Sequence, residues 1–331
     1  MIFYNVFSGL LTGATKDAYV RNLGDRVFNS LHSYWYLRDC NDEKLLEGFS
    51  LTKGKIMIDS GAFTAYADAS MKRGKSEAEA SKGTVDIDQY IENYINWINK
   101  WDKYVTVFGQ MDVIPVPGSS RADKEECCKK TWDNFLYMYS KLNNPQKLLY
   151  TFHCGEDFKW LKQALEFRDN QGRKLDYIAI GGLVGKTTKV RDDFLDRVFK
   201  IIKTSSNPDV KVHGFGVSSI KLWRKYPFES CDSFTPGTNA NHGYSYKPKG
   251  GTYRAPDYKK IYKPKGRNKQ EQEEIDRLEA LKSEEQKQAE SEFRTDEKVK
   301  LLISNIEYWT NLGNSIEKPK FNPNRGLFKN L

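Results

Sequence analysis

The chain has 331 residues, of which 38% are hydrophobic and 29% are charged, and its formal net charge is +9 at pH 7. This length suits one large α/β barrel with a tail, or two smaller domains. No run of about eighteen apolar residues occurs, and no basic segment followed by a long apolar one opens the chain, so we expect neither a membrane span nor a signal peptide.

The positive charge favours an anionic partner. The sequence pI is about 9.0, and basic proteins attract the phosphates of nucleic acids. Nucleic acid is therefore the leading candidate partner, and a basic protein that is merely soluble is the alternative.

The cysteines predict a reduced, cytoplasmic protein without a metal. They are five in number and scattered, and no Cys-x-x-Cys pair occurs among them: Cys40, Cys127, Cys128, Cys154 and Cys231. An odd, unpaired set argues against a disulfide framework and against a structural zinc site.

Short apolar runs alternate with helical patterns up to residue 234. The predicted strands are Arg26–Leu31, Lys55–Ile58, Tyr104–Gly109, Lys147–Phe152, Asp176–Ile180, Val210–Phe215 and Cys231–Phe234. Helical spacing follows four of them, over Asp86–Trp101, Lys124–Leu142, Asp157–Phe167 and Asp192–Lys203. Repeated βα units imply a parallel sheet with right-handed crossovers, and seven or eight of them suit a (β/α)₈ TIM-like barrel better than an open sheet.

The C-terminal part differs in composition. Gly237–Gly266 is rich in Gly, Pro, Tyr and Lys and is predicted to be a loop, whereas Asn268–Lys300 is dense in charged residues and predicts a solvated helix. We expect this helix to pack through Leu278, Leu281 and Phe293, with an arm that contacts a nucleic-acid strand as the alternative. The predicted domains are a barrel over 1–245, a basic loop over 246–267, and a charged helical extension over 268–331 that packs on the barrel.

Three aspartates each come at the end of a short, mostly apolar run and thus at or after the end of a predicted strand: Asp59, Asp112 and Asp232. The C-terminal ends of parallel strands lie on one rim of a barrel, so we expect the three carboxylates to meet there. One carboxylate can attack an anomeric carbon while another serves as acid and base. For each aspartate taken singly, an ordinary helix cap or ion pair is the alternative.

Glycines also lie at the ends of two further predicted strands, where we expect them to leave space for a ligand. The segment from Gly181 to Thr187 approaches a phosphate-binding loop, but only three residues separate Gly181 from Gly185-Lys186-Thr187 where four are needed, so we reject a nucleotide-triphosphatase. We expect Gly181 and Gly182 to present bare backbone N–H groups to a ligand, with a tight turn as the alternative.

Two aromatic residues could cover a planar ligand. Phe63 follows the Asp59 strand end, and Phe215 lies between Gly214 and Gly216. Stacking contributes about 1–3 kcal/mol per base, and core packing is the alternative for both rings. The four histidines (His32, His153, His213 and His242) lack metal-ligand spacing and are predicted to be hydrogen-bonded polar residues, with His153 and Cys154 near the site.

Read in order, five motifs resemble the tRNA-guanine (queuine) transglycosylase superfamily. They are Asp59-Ser60-Gly61-Ala62-Phe63, Gln110-Met111-Asp112, Ile180-Gly181-Gly182-Leu183-Val184-Gly185, Gly214-Phe215-Gly216-Val217 and Cys231-Asp232-Ser233-Phe234-Thr235-Pro236. The resemblance implies a (β/α)₈ barrel that exchanges guanine for a 7-deazaguanine base such as preQ0, without a cofactor and without cutting the nucleic-acid backbone.

The resemblance also implies roles for individual residues. Asp232 looks like the nucleophile on the ribose C1′, Asp59 like the acid/base partner, and Asp112 like the reader of the base edge. The other residues that it places around the base are Gly181, Gly182, Phe63, Phe215, Ser60 and Cys154. Cys154-Gly155 stands where the family has Gln-Gly, so the details of base selection differ from the family pattern.

A larger departure concerns the polymer. The tRNA enzymes carry a Cys-x-Cys-x-x-Cys…His zinc subdomain after the nucleophile, whereas no cysteine follows Cys231 here. The chain in this respect resembles the DNA-modifying branch found in phages and bacterial islands, and we therefore expect DNA rather than tRNA. The same exchange on tRNA, a non-catalytic nucleic-acid-binding barrel, and a glycoside hydrolase with paired acids are the alternatives. The sequence predicts no oligomeric state.

Overall fold

A computed structural model describes residues 1–71, 85–115, 118–247, 251–255 and 268–321. The chain divides into two compact units. The first unit comprises Met1–Leu10, Asn29–Ser233 and Gly313–Leu331, and the second comprises Leu11–Phe28 and Phe234–Leu312. Within the described ranges, no helix combines the length and the apolar character that crossing a bilayer requires. The boundaries at 245 and 267 stay a prediction.

The first unit contains a closed barrel of eight parallel strands in chain order, which confirms the (β/α)₈ fold. The strands are β1 (Ile2–Ser8), β2 (Asn29–Ser33), β3 (Ile56–Asp59), β4 (Val107–Gly109), β5 (Leu148–His153), β6 (Tyr177–Gly181), β7 (Lys211–Gly214) and β8 (Ser230–Ser233). The sequence analysis did not predict β1, where the polar Asn5 interrupts the apolar run. In the barrel Asn5 is buried and its amide donates to the Asn29 carbonyl at 3.3 Å.

Helices, numbered along the whole chain, connect these strands. Those of the first unit are α2 (Tyr34–Leu37), α3 (Asp42–Leu51), α4 (Ala62–Met71), α5 (Ile87–Trp101), α6 (Arg121–Lys141), α7 (Phe158–Glu166), α8 (Thr188–Thr204) and α9 (Ile220–Lys225). Asp86 and Asp157, predicted as first helical residues, instead cap α5 and α7 by accepting backbone N–H bonds. Helix α6 begins earlier than predicted because Ser120 and Asp123 form a reciprocal capping box.

The barrel interior is filled by alternate residues of the strands. The buried residues of this cluster are Tyr4, Leu31, Met57, Val107, Leu149, Tyr177 and Ala179. Successive side chains of a strand point to opposite faces, so Asp59 and Gly181, two residues beyond Met57 and Ala179, also face inward. Asp232 faces inward as well, because it pairs in register with Tyr4.

The second unit contains α1 (Gly13–Leu23), α10 (Thr235–Asn241), β9 (Tyr244–Tyr246), β10 (Thr252–Arg254) and α11 (Lys269–Ala280), and most of α12 (Glu284–Ser315). The loop predicted over Gly237–Gly266 is wrong for the residues described there, which form part of a helix and an antiparallel strand pair. Pro236 lies in the first turn of α10, where no backbone N–H is needed, and tyrosines and a threonine favour the strands. Residues 248–250 and 256–267 of the predicted loop lie outside the described residues.

The charged segment is helical, as predicted, but forms two helices rather than one. Ion pairs at i,i+4 spacing join Lys269 to Glu273, Glu290 to Arg294 and Asp296 to Lys300. The predicted packing through three apolar residues is wrong, since Leu278, Leu281 and Phe293 are 51%, 75% and 47% exposed. Their spacing is too sparse to form an apolar stripe, and α11 buries none of its residues.

Candidate active site

Three carboxylates meet at the C-terminal rim of the barrel. Asp59 is the last residue of β3, Asp232 lies in β8, and Asp112 follows β4 by three residues. The negative charges of Asp112 and Asp232 both raise the pKa of Asp59, which requires that all three lie within electrostatic reach of one another. The strand ends thus bring together the three aspartates that the sequence singled out.

The environment of Asp59 raises the pKa of its carboxyl. Burial is the largest cause that raises the pKa of its carboxyl to about 7, and the Asp112 charge is the next. The Gly61 N–H, which donates to Oδ2 at 2.9 Å, opposes this rise, as does a hydrogen bond from Ser33. A carboxyl with this pKa can both give and take a proton near neutral pH.

Gly61, whose N–H donates to Asp59, lies in a tight turn. We expect Gly61→Ala to destabilise the fold by about 3 kcal/mol. Its φ is +74°, and an added Cβ would lie 2.7 Å from the Trp35 Cβ and 2.9 Å from the Ser33 Oγ. Gly172 is the matched control, because its φ is also +74° but an added Cβ meets nothing within 4 Å. Gly172→Ala should cost only about 1 kcal/mol. Urea unfolding of both variants measures the difference, and equal losses would contradict the role of the close contacts.

The two carboxylate oxygens of Asp232 differ in their hydrogen bonding. Its side chain is almost fully buried, and Oδ1 accepts hydrogen bonds from the Gly216 N–H at 2.9 Å and from the His213 ring at 3.1 Å. Oδ2 accepts no hydrogen bond from any residue that the structure describes. The carboxylate is therefore fixed in orientation and leaves Oδ2 for a substrate.

Asp112 is joined to His153, whose role the sequence analysis missed. The His153 Nε2 lies 2.9 Å from the Asp112 Oδ2, and its Nδ1 lies 3.0 Å from the Glu156 Oε1. Burial lowers the pKa of His153, but hydrogen bonds to the two carboxylates outweigh it and raise the pKa to about 10. The ring is thus a cation at neutral pH. The spacing of His153 and Glu156, three residues apart after a strand, was the available signal.

Gly181 and Gly182 make room for His153 at the end of β5 and for the residue that follows it. A Cβ on Gly181 would lie 2.7 Å from the His153 Cδ2, and a Cβ on Gly182 would lie 3.0 Å from the Cys154 nitrogen. The Gly181 carbonyl also accepts the Cys154 N–H at 3.0 Å. Glycine is therefore needed at both positions because a larger residue would collide with His153 or Cys154. Donation of their N–H groups to a base stays a prediction.

The two aromatic candidates differ in exposure. Phe63 is 72% exposed in the first turn of α4. Phe215 is half-buried, packs on the barrel core, and meets the His213 ring edge-on with centroids 4.5 Å apart. The Phe63 ring therefore lies mostly in solvent, whereas the Phe215 ring is packed beside His213, the partner of Asp232.

Ser60 and the cysteines contribute structure rather than a reactive group. Ser60 is buried, and its Oγ accepts the Ala62 N–H at 3.3 Å at the start of α4. Burial raises the pKa of the Cys154 thiol, although the nearby Lys186 charge opposes this, and burial likewise raises the pKa of the Cys231 thiol. Neither thiol is activated as a nucleophile.

Among the described residues, no group of three or more His, Cys, Asp and Glu side chains has the arrangement of a metal site. No protein-family model matches the chain, and a search of curated proteins finds no match either.

Proposed function

We propose that this protein is a guanine transglycosylase that exchanges guanine in DNA for a 7-deazaguanine base such as preQ0. The observation that carries the proposal is the pair formed by Asp59, whose pKa is about 7, and Asp232, whose Oδ2 is open, at one barrel rim. A double displacement at a sugar carbon needs one carboxylate as nucleophile and another carboxyl as acid and base.

The first displacement removes guanine. The Asp232 Oδ2 bonds to the deoxyribose C1′ as the C1′–N9 bond breaks, and the electron pair of that bond leaves with N9. Protonated Asp59 gives its proton to the departing base, which leaves as neutral guanine. The product is a glycosyl ester on Asp232, and the phosphodiester backbone is untouched.

The second displacement installs the new base. A neutral 7-deazaguanine gives its N9 proton to ionised Asp59, and N9 then bonds to C1′. The C1′–Oδ2 bond breaks and its electron pair returns to Asp232. Both residues end in their starting forms, so the cycle needs no metal, oxidant or nucleotide.

We assign recognition of the base to side chains that surround Asp59 and Asp232. The Asp112 Oδ2 is taken by His153, which leaves Oδ1 to accept an N–H from the base edge. Phe215 offers one ring wall, and the exposed Phe63 can cover the opposite face. Such stacking contributes about 1–3 kcal/mol for each base.

One feature favours DNA over tRNA as the polymer. No cysteine follows Cys231, so the chain lacks the cysteines that hold zinc in the subdomain of the tRNA enzymes. The net charge of +9 fits the phosphates of either polymer through release of counterions. A duplex would have to flip the target nucleotide, which costs a few kcal/mol.

Exchange of radiolabelled guanine into duplex DNA and into tRNA, measured side by side, tests the proposal. We expect label in DNA. Label in tRNA alone would overturn the choice of polymer while keeping the chemistry. Normal nucleic-acid binding without label in either polymer would instead support a non-catalytic barrel.

A further inference from the structure

We propose that His213 is a positioning residue that holds the Asp232 Oδ1, so that Oδ2 is the oxygen that attacks the sugar. This inference rests on the proposed function and extends it to a residue whose role neither the sequence motifs nor the family resemblance supplies. It depends on a row of buried hydrogen bonds across β6, β7 and β8.

The row has four members. The Tyr177 hydroxyl lies 2.5 Å from the Ser230 Oγ, which lies 2.6 Å from the His213 Nδ1. The His213 Nε2 lies 3.1 Å from the Asp232 Oδ1. His213 and Ser230 are completely buried, and Tyr177 is 9% exposed. All four side chains face the barrel interior, because Ser230 pairs in register with His213 and His213 pairs with Ala179.

The chemistry of the members fixes the direction of donation. Burial raises the pKa of Tyr177, so its hydroxyl keeps its proton and donates to Ser230. The Ser230 hydroxyl can then donate to the His213 Nδ1, which leaves the ring proton on Nε2. That proton points at the Asp232 Oδ1. If the ring proton were on Nδ1 instead, the Nε2 lone pair would face the Asp232 carboxylate. That contact would be repulsive in a buried place.

This arrangement serves both displacements. With Oδ1 held by His213 and by the Gly216 N–H, only Oδ2 is available to bond to C1′. In the glycosyl ester Oδ1 becomes the carbonyl oxygen and can keep both hydrogen bonds. When the ester breaks, negative charge returns to the carboxylate, and the same donors stabilise it. The donors are already oriented before the reaction, so no reorganisation is needed.

Two substitutions separate hydrogen bonding from packing. His213→Gln keeps an N–H₂ group near the position of Nε2, whereas His213→Phe keeps a ring but has no donor. We expect His213→Phe to lower kcat about 10- to 100-fold with little change in KM, since a hydrogen bond to a charged group is lost. His213→Gln should stay within about 5-fold of the wild type. A higher kcat for His213→Phe than for His213→Gln would show that the ring contributes only packing, and would overturn the proposal.

The ring proton gives a readout that does not depend on activity. The chain has four histidines, so ¹⁵N NMR of the imidazole rings in the full-length protein can be assigned with a His213→Gln comparison. We expect a protonated Nε2 and an unprotonated Nδ1 in His213. An unprotonated Nε2 would overturn the proposal even in an active enzyme. Absence of exchange in the wild type, with the expected ring proton, would count against the proposed function alone.

Discussion

Replacing Asp232 by alanine is expected to lower guanine exchange by about 10⁴-fold or more, because the variant has no oxygen to form the glycosyl ester. Binding of nucleic acid should be nearly unchanged. In the proposed function the nucleic-acid backbone contacts surface cations, whereas Asp232 is buried at the rim of the barrel. Single-turnover exchange and a binding titration, made on the same preparation, measure the two effects.

Asp232→Asn and Asp209→Ala complete this experiment. The asparagine keeps the size of the side chain and an oxygen for the His213 and Gly216 donors but is a poor nucleophile, so it should be as inactive as alanine. Asp209 is exposed in the segment before β7, and its replacement should leave exchange intact. Exchange by Asp232→Ala above one hundredth of the wild-type rate would exclude a covalent intermediate on this residue.

Asp59→Asn is expected to lower exchange about 10²- to 10⁴-fold, the usual contribution of a general acid and base. In the wild type, kcat/KM should fall as the pH rises through about 7, because the leaving guanine needs the proton of Asp59. The variant has no group to titrate there, so its remaining rate should lose this alkaline decline. A decline of the same shape in Asp59→Asn would show that another group donates the proton.

Asp59→Asn, which is expected to lower activity, is also expected to raise the free energy of unfolding. The carboxyl titrates near 3.8 in the unfolded chain and near 7 in the folded protein, so the folded state binds the proton more tightly. Its stabilising contribution is complete below about pH 4 and is lost as the pH rises through 7. A shift of this size corresponds to about 4 kcal/mol, but Asp59 is only half-buried and solvent screens part of it.

We therefore expect Asp59→Asn to be more stable than the wild type by about 2 kcal/mol at pH 8 and nearly equal to it at pH 4. Urea unfolding at the two pH values measures this, with Asp209→Asn as the control that should show no pH-dependent gain. A variant that is less stable than the wild type at pH 8 would mean that the carboxylate is favourably solvated at the rim.

The barrel and its three aspartates could be predicted because both follow from local patterns. Apolar runs that end in Asp59 and Asp232 mark inward-facing strand ends, and the helical spacing of Ile87–Trp101 marks a crossover. In a closed parallel barrel those strand ends necessarily share a rim. The strand β1 was not predicted, because burial of Asn5 depends on a partner carbonyl from β2.

The links between the aspartates and the histidines that tune them could not be predicted, because these residues come from neighbouring strands. His213 reaches Asp232 only through the pairing of β7 with β8, which places residues nineteen positions apart side by side. His153 reaches Asp112 across β4 and β5 in the same way. A single sequence shows the residue types but not the register that joins them.

The His153 ring lies between the carboxylates of Asp112 and Glu156, and the charges of Asp112 and Asp232 act in turn on Asp59. The rim therefore gathers acidic side chains, although the chain as a whole carries a formal charge of +9. A polyanion attracted to the basic surface meets repulsion at the barrel opening, whereas an uncharged ring does not. In the proposed exchange, this contrast in charge would keep the phosphates outside the opening and admit the uncharged base.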